Sequence, residues 1–346
     1  MAPNKIHRAI RRLKTNGNIY SVAEGAYHEF THPKKPTMPL PENAQIEITT
    51  LCNFRCITCS RLSLPPNRLA VSLTPDKFER ILNAIPTLKT VKLQGLGEPL
   101  MTPQLQEILD IAKRRKVKLY TISNGSLFHS DKYINLALQF DGLSVSFDST
   151  NPDMFAKIRV GGNFNKIVEN ITKLTAAKRV SKSKLQVSIG MVATHLNYMQ
   201  IPELASLAIT MGVDKVGVIE VENWYTSQEK EYAESVEFVQ QSRQRGAEML
   251  ANVSKLRSAL KPHKIEVGFT DSHKRMESCT WTFDSVFITA DGYLTSCCIR
   301  MNPDINNFGN VFDTDFKTLW NGEKYRAFRA AMIGGGSNGV CDNCPD

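Results

Sequence analysis

The feature that most constrains the fold of this chain is a regular alternation of strand-like and helix-like segments between residues 44 and 221. The strand-like segments are Ala44–Thr49, Thr90–Gln94, Val117–Ser123, Gly142–Asp148, Leu185–Val192 and Val213–Val221. Helix-like segments separate them, and the first begins with Thr74 as N-cap and Pro75 at the first helical position. This alternation predicts an α/β fold, a partial (β/α)6 TIM-type barrel whose functional groups lie where the strands end.

The eight cysteines of the chain fall into two groups. The first group is Cys52, Cys56 and Cys59, and the second is Cys279, Cys297, Cys298, Cys341 and Cys344. We find neither a secretory signal nor a membrane-spanning stretch, and therefore expect a cytoplasmic, reducing compartment. Clustered cysteines there indicate metal binding or catalysis rather than disulfides. The sequence thus predicts two separate metal sites.

The first group stands on a short loop after the first predicted strand. Three thiolates on one loop are soft ligands that suit an iron–sulfur cluster or zinc. A structural zinc ion takes four ligands, whereas a cubane cluster held by three cysteines keeps one iron open. A zinc site completed by a residue elsewhere in the chain is the alternative.

The spacing C-x3-C-x2-C at this position resembles the radical S-adenosylmethionine (SAM) superfamily. The resemblance implies that Cys52, Cys56 and Cys59 hold a 4Fe–4S cluster whose open iron is chelated by SAM. It also implies the chemistry: an electron from the cluster cleaves SAM into methionine and a 5′-deoxyadenosyl radical, which takes a hydrogen atom from the substrate. A flavodoxin or ferredoxin is the electron donor that we expect.

Further motifs after the next strands are similar to the SAM contacts of this superfamily. They are its Gly-Glu-Pro, its Asn-Gly beside the ribose, its Ser-x-Asp, and an arginine near the SAM carboxylate. The resemblance implies that SAM contacts Gly97, Glu98, Pro99, Ser123, Asn124, Ser146, Asp148 and Arg159. Taken singly, the first two motifs are also typical of turns, and Asp148 could cap the next helix.

The second cysteine group resembles the SPASM/twitch extension of radical SAM enzymes. Asp291-Gly292 predicts a hairpin turn between the strand-like segments Ser285–Thr289 and Tyr293–Ser296. A full SPASM domain needs more cysteines than the five that remain, which favours the twitch form with one auxiliary 4Fe–4S cluster. The ligands that the resemblance implies are Cys279, Cys297, Cys341 and Cys344. A structural zinc with four thiolates is the alternative.

Cys298 is the cysteine left over. It is either a small buried side chain beside the cluster or a hydrogen-atom donor, as in radical SAM epimerases. It could also replace Cys297 as a ligand. A cluster with four cysteine ligands has no open iron and would serve electron transfer.

The predicted organisation has four parts. A basic extension covers residues 1–41, the barrel 42–228, a helical connector 229–265 and the auxiliary domain 266–346. The first 40 residues hold seven Lys or Arg against two Glu, a net +5 of the total +9. The rest of the chain is therefore only mildly basic, which makes nucleic acid an unlikely partner.

The leading functional hypothesis is the oxidation or rearrangement of a small molecule of the sugar or aminocyclitol type. The cysteine layout is similar to that of a radical SAM dehydrogenase of an aminocyclitol. The alternative is cross-linking or epimerisation of a ribosomally made peptide, against which the short segment before Ala44 counts. The alternative of another class is a non-enzymatic zinc-binding protein.

Overall fold

The computed structural model describes residues 34–270, 279–334 and 338–341. Its strands β1 to β9 are Asn43–Ile46, Thr90–Leu93, Lys118–Ser123, Gly142–Ser146, Gln186–Ala193, Lys215–Glu220, Glu266–Thr270, Ser285–Ile288 and Leu294–Thr295. Its helices α1 to α11 are Pro75–Ala84, Leu105–Arg114, Asp131–Ala137, Pro152–Ile158, Phe164–Ser181, Leu204–Met211, Tyr232–Arg243, Gly246–Leu260, Trp281–Asp284, Phe316–Trp320 and Glu323–Gly334. The predicted basic segment before residue 34 and Cys344 lie outside the described residues.

The strands form one sheet in the order β7-β6-β5-β4-β3-β2-β1-β8-β9. Every neighbouring pair is parallel except β8 and β9, which form the predicted antiparallel hairpin. The α/β fold with a mostly parallel sheet is therefore confirmed. Three strands were not predicted as members of this sheet: β7 extends it beyond β6, and β8 and β9 extend it at the other edge, where β8 pairs with β1.

The core lies between the sheet and its covering helices. Val91 and Leu93 of β2 are fully buried, as are Phe78 of α1 and Ile108 of α2. Helix α1 begins as predicted, because the Thr74 hydroxyl accepts the backbone N–H of Lys77. Within each of the strands β2 to β5, buried residues alternate with half-buried ones. One face of each strand is therefore less buried than the other.

The predicted helical connector is broken into two shorter helices, and a second helical region near the C-terminus is divided in the same way. The connector divides into α7 and α8, because the two parts pack on different elements. In α7, the hydroxyl of Ser242 accepts a backbone N–H from the loop after β5, whereas α8 buries Val253 and Leu256 in the main core. Residues 316–334 likewise form two helices, because α10 ends at Trp320, where the Asn321 side chain accepts the backbone N–H of Met38 and donates to its C=O. Both breaks arise from tertiary contacts.

An ion pair joins the barrel to the hairpin, and we predict that its loss destabilises the fold. Arg68 is buried, and its Nε and Nη2 donate to the Asp291 carboxylate at 3.0 and 3.1 Å. Because Arg68→Met leaves that carboxylate without its cation, we expect the free energy of unfolding to fall by about 3 kcal/mol. Urea unfolding of the purified chain measures this.

Lys89→Met is the matched control, because the Lys89–Glu42 pair is exposed on both sides. Exposed pairs contribute little, so its effect should be several-fold smaller. Equal effects of the two substitutions would contradict the importance of the buried pair.

Candidate functional site

Cys52, Cys56 and Cys59 lie on the loop that leaves the carboxyl end of β1. Cys56 is buried and the other two are half-buried. Two backbone N–H groups of this loop donate to carbonyl oxygens within residues 158–160, at 2.8 and 3.1 Å. Arg61 closes the following turn by donating to two backbone carbonyl oxygens at 2.5 and 3.0 Å. The three thiols are therefore carried by a loop that is anchored at both ends.

Arg159 connects this loop to the end of β4. Its Nη1 lies 3.4 Å from the Sγ of Cys56, and its Nε pairs with the Asp148 carboxylate at 2.7 Å. The other oxygen of Asp148 accepts the backbone N–H of Val192 at 2.8 Å. Asp148 does not cap the next helix, since Asn151 does so. Two residues predicted as SAM contacts thus form a buried pair that also touches a cysteine.

Glu98 is buried and connects the ends of β2 and β3. One carboxylate oxygen accepts the hydroxyl of Ser123 at 2.9 Å, and the other accepts the backbone N–H of Asn124 at 2.7 Å. The Asn124 side chain donates to Asn53 at 2.8 Å and lies 4.0 Å from the Sγ of Cys52. The Glu98 carboxylate therefore positions neighbouring loops.

Gly97 and Pro99 shape the same turn. A side chain at Gly97 would meet the backbone oxygens of Thr49 and Leu51 at 2.3 and 2.7 Å. Only glycine allows this approach of the turn to the cysteine loop. Pro99 begins a short 3-10 turn over Pro99–Met101. Ser146, the last residue of β4, is half-buried.

The three thiols affect one another electrostatically. Burial raises the pKa of Cys52, and it raises the pKa of Cys59 to about 11, with nearby cysteines adding to both shifts. Thiols gathered in this way ionise when they bind a cationic centre, and such a donor set fits an iron–sulfur cluster. Within the described ranges, no three His, Cys, Asp or Glu side chains are close enough to share one metal ion. The fit to a cluster therefore depends on the donor set and its electrostatics.

Part of the second cysteine group comes together around α11 and the hairpin. The backbone N–H of Arg300 lies 3.4 Å from the Sγ of Cys297, while its Nε donates to the carbonyl of Val340, next to Cys341. Cys297 and Cys279 both lie close enough to Tyr325 to raise its pKa, although burial is the larger cause. The hydroxyl of Tyr325 is buried and interacts with the guanidinium of Arg329. The thiols of Cys279 and Cys297 are soft donors, which fit an iron–sulfur cluster.

Cys298 has a different electrostatic neighbour from Cys297. Its thiol interacts electrostatically with the ammonium group of Lys92, whose pKa is lowered by burial. Lys92 belongs to β2, on the less buried face of that strand. Cys298 itself is half-buried.

Two residues that the sequence analysis did not select connect the two cysteine sites. The Arg300 Nη1 donates to the carbonyl oxygens of Asn223 and Tyr225, at 2.8 and 3.0 Å. The hydroxyl of Tyr225 lies 3.1 Å from that of Ser63, just beyond the first cysteine loop. Arg300 and Ser63 belong to no recognisable motif, so no sequence signal pointed to them.

Comparison with known proteins identifies two regions. Residues 46–208 match the radical SAM superfamily, and residues 279–345 match SPASM, an iron–sulfur cluster-binding domain. Within the described residues, no helix is both long and apolar enough to cross a membrane.

Several relatives are similar in sequence. A tungsten-containing aldehyde ferredoxin oxidoreductase cofactor-modifying protein of Pyrococcus furiosus is 29% identical over 178 residues, which are 49% of this chain and 48% of that protein. A probable GTP 3′,8-cyclase of Methanocaldococcus jannaschii is 24% identical over 74% of this chain and 84% of its own length. The PqqA peptide cyclase of Gluconobacter oxydans is 24% identical over 82% of this chain and 78% of its own length.

Two solved structures share the fold. SuiB of Streptococcus suis bound to SAM has a TM-score of 0.65 at 14% identity, covering 94% of this chain and 80% of SuiB. BtrN in complex with AdoMet and 2-DOIA has a TM-score of 0.53 at 14% identity, covering 90% of this chain and 95% of BtrN. At such identities the likeness shows the fold alone.

The buried Glu98 predicts a pH-dependent stability. Burial raises its pKa from 4.5 to about 7, so between these values the folded chain holds a proton that the unfolded chain has lost. Stability from this group is therefore present below about pH 4.5 and is lost as the pH rises through about 7, by up to about 3 kcal/mol. Urea unfolding of the metal-free chain at several pH values measures the loss.

Glu98→Gln cannot ionise, so its unfolding free energy should fall less steeply over the same pH range. Glu107→Gln on α2 is the control, because Glu107 is exposed, and it should keep the slope of the unaltered chain. If Glu98→Gln keeps that slope as well, Glu98 is not the titrating group.

Proposed function

We propose that this chain removes a hydrogen atom from a substrate held between two iron–sulfur sites. The premise is that the chain belongs to the radical SAM superfamily and is an enzyme with a C-terminal SPASM domain. Its cofactors are SAM, a 4Fe–4S cluster and an auxiliary iron–sulfur cluster. The observation that carries the proposal is the connection of the two cysteine sites through Ser63, Tyr225 and Arg300.

The first site would hold its cluster through Cys52, Cys56 and Cys59. When bound, this cluster and SAM supply an electron and a 5′-deoxyadenosyl radical, which takes the hydrogen atom. Arg159 places a positive charge beside Cys56, where it stabilises the thiolate. Gly97 brings the turn before Pro99 against the cysteine loop, and Glu98 and Asn124 hold the adjoining loop.

The remaining predicted SAM contacts lie at the neighbouring strand ends. Ser123 ends β3, Ser146 ends β4, and Asp148 follows β4 by two residues. The carboxyl ends of the strands of a parallel barrel form one side of it, which is where a ligand binds. We therefore propose that these side chains face SAM, with Asp148 acting through Arg159.

The ligands proposed for the auxiliary cluster are Cys279, Cys297, Cys341 and Cys344. Support for Cys297 over Cys298 is the shared neighbour Tyr325, close to both Cys279 and Cys297, whereas Cys298 lies near Lys92. With four thiolates this cluster has no open iron. It would accept the electron that remains on the substrate after hydrogen abstraction and loss of a proton.

A small molecule of the sugar or aminocyclitol type is the substrate that we propose. A cavity of about 30 Å³ lies between the segment after the cysteine loop and the segment after the hairpin, and Glu47, Arg68, Tyr225 and Met301 are among its lining residues. This space holds about one water molecule or one polar group of a bound molecule. What supports a small substrate is the GTP 3′,8-cyclase relative, whose name contains one.

Modification of a ribosomally made peptide is the second candidate. The observation that favours it is the match to a PqqA peptide cyclase, which extends over 82% of this chain. The non-enzymatic zinc alternative is not supported, because the matching families are a radical SAM superfamily and an iron–sulfur domain. A flavodoxin or ferredoxin remains the electron donor that we propose.

The proposed ligands predict the iron content of the chain. After anaerobic reconstitution we expect about eight irons per chain, because two cubanes hold four irons each. Cys52→Ala should lower this to about four and abolish 5′-deoxyadenosine formation, since one cubane then loses a ligand. Iron and sulfide analysis and chromatography of the nucleoside products measure both effects.

Cys297→Ala and Cys298→Ala form a matched pair. The first should lower the iron content to about four and the second should keep about eight. The reverse result would make Cys298 the ligand, and one or two zinc ions without sulfide would contradict both iron–sulfur sites.

The substrate class predicts which extract fraction stimulates the enzyme. We expect the small-molecule fraction of a cell extract to increase 5′-deoxyadenosine formation, and protease treatment of that fraction to change nothing. Stimulation that a protease removes would favour the peptide alternative instead.

Once a substrate is found, Cys298→Ala separates the two roles of Cys298. If Cys298 is a hydrogen-atom donor, the variant should lose product formation while SAM cleavage continues.

A further inference from the structure

The loop that carries the first three cysteines has exposed apolar side chains on and beside it. Among the described residues, nine large apolar side chains are exposed, and three of them are Ile57, Leu62 and Val160. Ile57 lies between Cys56 and Cys59 and is 49% exposed, and Leu62 lies on the turn after Cys59 and is 53% exposed. Single exposed apolar residues are ordinary, whereas several in one region indicate an interaction surface.

Two backbone hydrogen bonds join the cysteine loop to the segment after α4. The N–H of Arg55 donates to the carbonyl oxygen of Val160 at 2.8 Å, and the N–H of Ile57 donates to that of Ile158 at 3.1 Å. Arg55, Ile57 and Val160 are exposed, although the intervening Cys56 is buried. Exposed side chains of the two segments therefore lie next to each other, beside a buried thiol.

The same two segments are basic. Residues 48–75 and 154–168 contain six Lys or Arg and no Asp or Glu. Two of the six form ion pairs with carboxylates of other segments. Arg55 and Lys157, by contrast, are exposed, and neither forms an ion pair with a residue in the described ranges. The loop thus presents apolar side chains next to cations whose charge is not neutralised.

The exposed surface of the loop is separate from the space proposed for the substrate. Ser63 and Leu64 line the cavity next to the C-terminal hairpin, whereas Leu62 is not among its lining residues. A molecule bound to Leu62 and Ile57 would therefore not occupy that cavity.

We propose that an acidic one-electron carrier protein, of the flavodoxin or ferredoxin kind, docks on the surface formed by Arg55, Ile57, Leu62, Lys157 and Val160. These five residues form the docking face. On docking, the carrier loses one electron and the first cluster gains it, and no bond forms or breaks. The inference rests on the proposed function, because it requires a cluster at the cysteine loop.

Charge and position both support this partner. An electron passes quickly only over a short distance, and the docking face includes a residue of the cysteine loop itself. Opposite charge on the partner speeds the encounter, and interfaces between electron-transfer proteins are small and transient. A second copy of the chain fits less well, because in a two-fold dimer the same patch lies on both sides and its cations would meet each other.

Arg55→Glu combined with Lys157→Glu tests the proposal in the reconstituted enzyme. At low salt, we expect calorimetry to show about tenfold weaker binding of a flavodoxin and of a ferredoxin, because two attractive charges become repulsive. Formation of 5′-deoxyadenosine driven by either reduced carrier should fall by a similar factor. With dithionite, a small reductant that needs no docking surface, the rate and the iron content should not change.

Lys118→Glu combined with Lys184→Glu is the matched control. It changes the net charge by the same amount, and both residues are exposed near the amino ends of β3 and β5, at the other end of the strands from the cysteine loop. Carrier binding and carrier-driven rate should stay close to those of the unaltered enzyme. An equal loss in this control would show that only overall charge matters and would overturn the proposal.

Leu62→Ser is a second variant, and it decides the matter if the charge reversal does not take up its cluster. Removing this apolar contact should weaken carrier binding and leave the dithionite-driven rate unchanged. Unchanged binding of both carriers would overturn the docking face. So would a charge reversal that only dissociates a dimer or only releases the enzyme from anionic phospholipid vesicles. An unaltered enzyme that forms no 5′-deoxyadenosine with dithionite would instead refute the proposed function, so the two failures can be told apart.

Discussion

The rest of this structure depends on the pairing of β1 with a strand on each side. β2 lies on one side and β8 on the other, both parallel to β1 and in the same register from Asn43 onwards. β2 precedes the Gly97-Glu98-Pro99 turn, whereas β8 belongs to the C-terminal hairpin. The loop with the first three cysteines leaves the carboxyl end of β1. A single strand thereby places the radical SAM region and the SPASM region in one sheet.

Buried charged groups secure this junction. The Glu47 carboxylate, directly after β1, accepts backbone N–H groups from Leu96 on one side and Ala290 on the other, at 2.8 and 3.2 Å. Arg68 pairs with Asp291 across the same boundary. A buried charge is tolerated only when it is paired or hydrogen-bonded, so these contacts specify how the hairpin sits on the barrel. The substrate space that we propose lies beside them.

Much of the fold and part of the site could be predicted from the sequence. The helix start at Thr74 and the hairpin turn at Gly292 depend on a few neighbouring residues, and both are present. The addition of β7 and β8 to the sheet could not be predicted, because it depends on edges provided by strands far away in the chain. The break of the connector near Arg243 was missed for the same reason.

The sequence by itself determined the order of the first six strands, the resemblance of its motifs to the radical SAM superfamily, and the thiols available for two iron–sulfur sites. These properties follow from local periodicity and from ligand spacing, which act over a few residues. Only the tertiary structure decided that Cys297 interacts electrostatically with Tyr325 and Cys298 with Lys92, and that Arg300 connects the two sites. Adjacent cysteines have the same chemistry, so what separates them is which long-range contacts each side chain makes when the hairpin packs on β1.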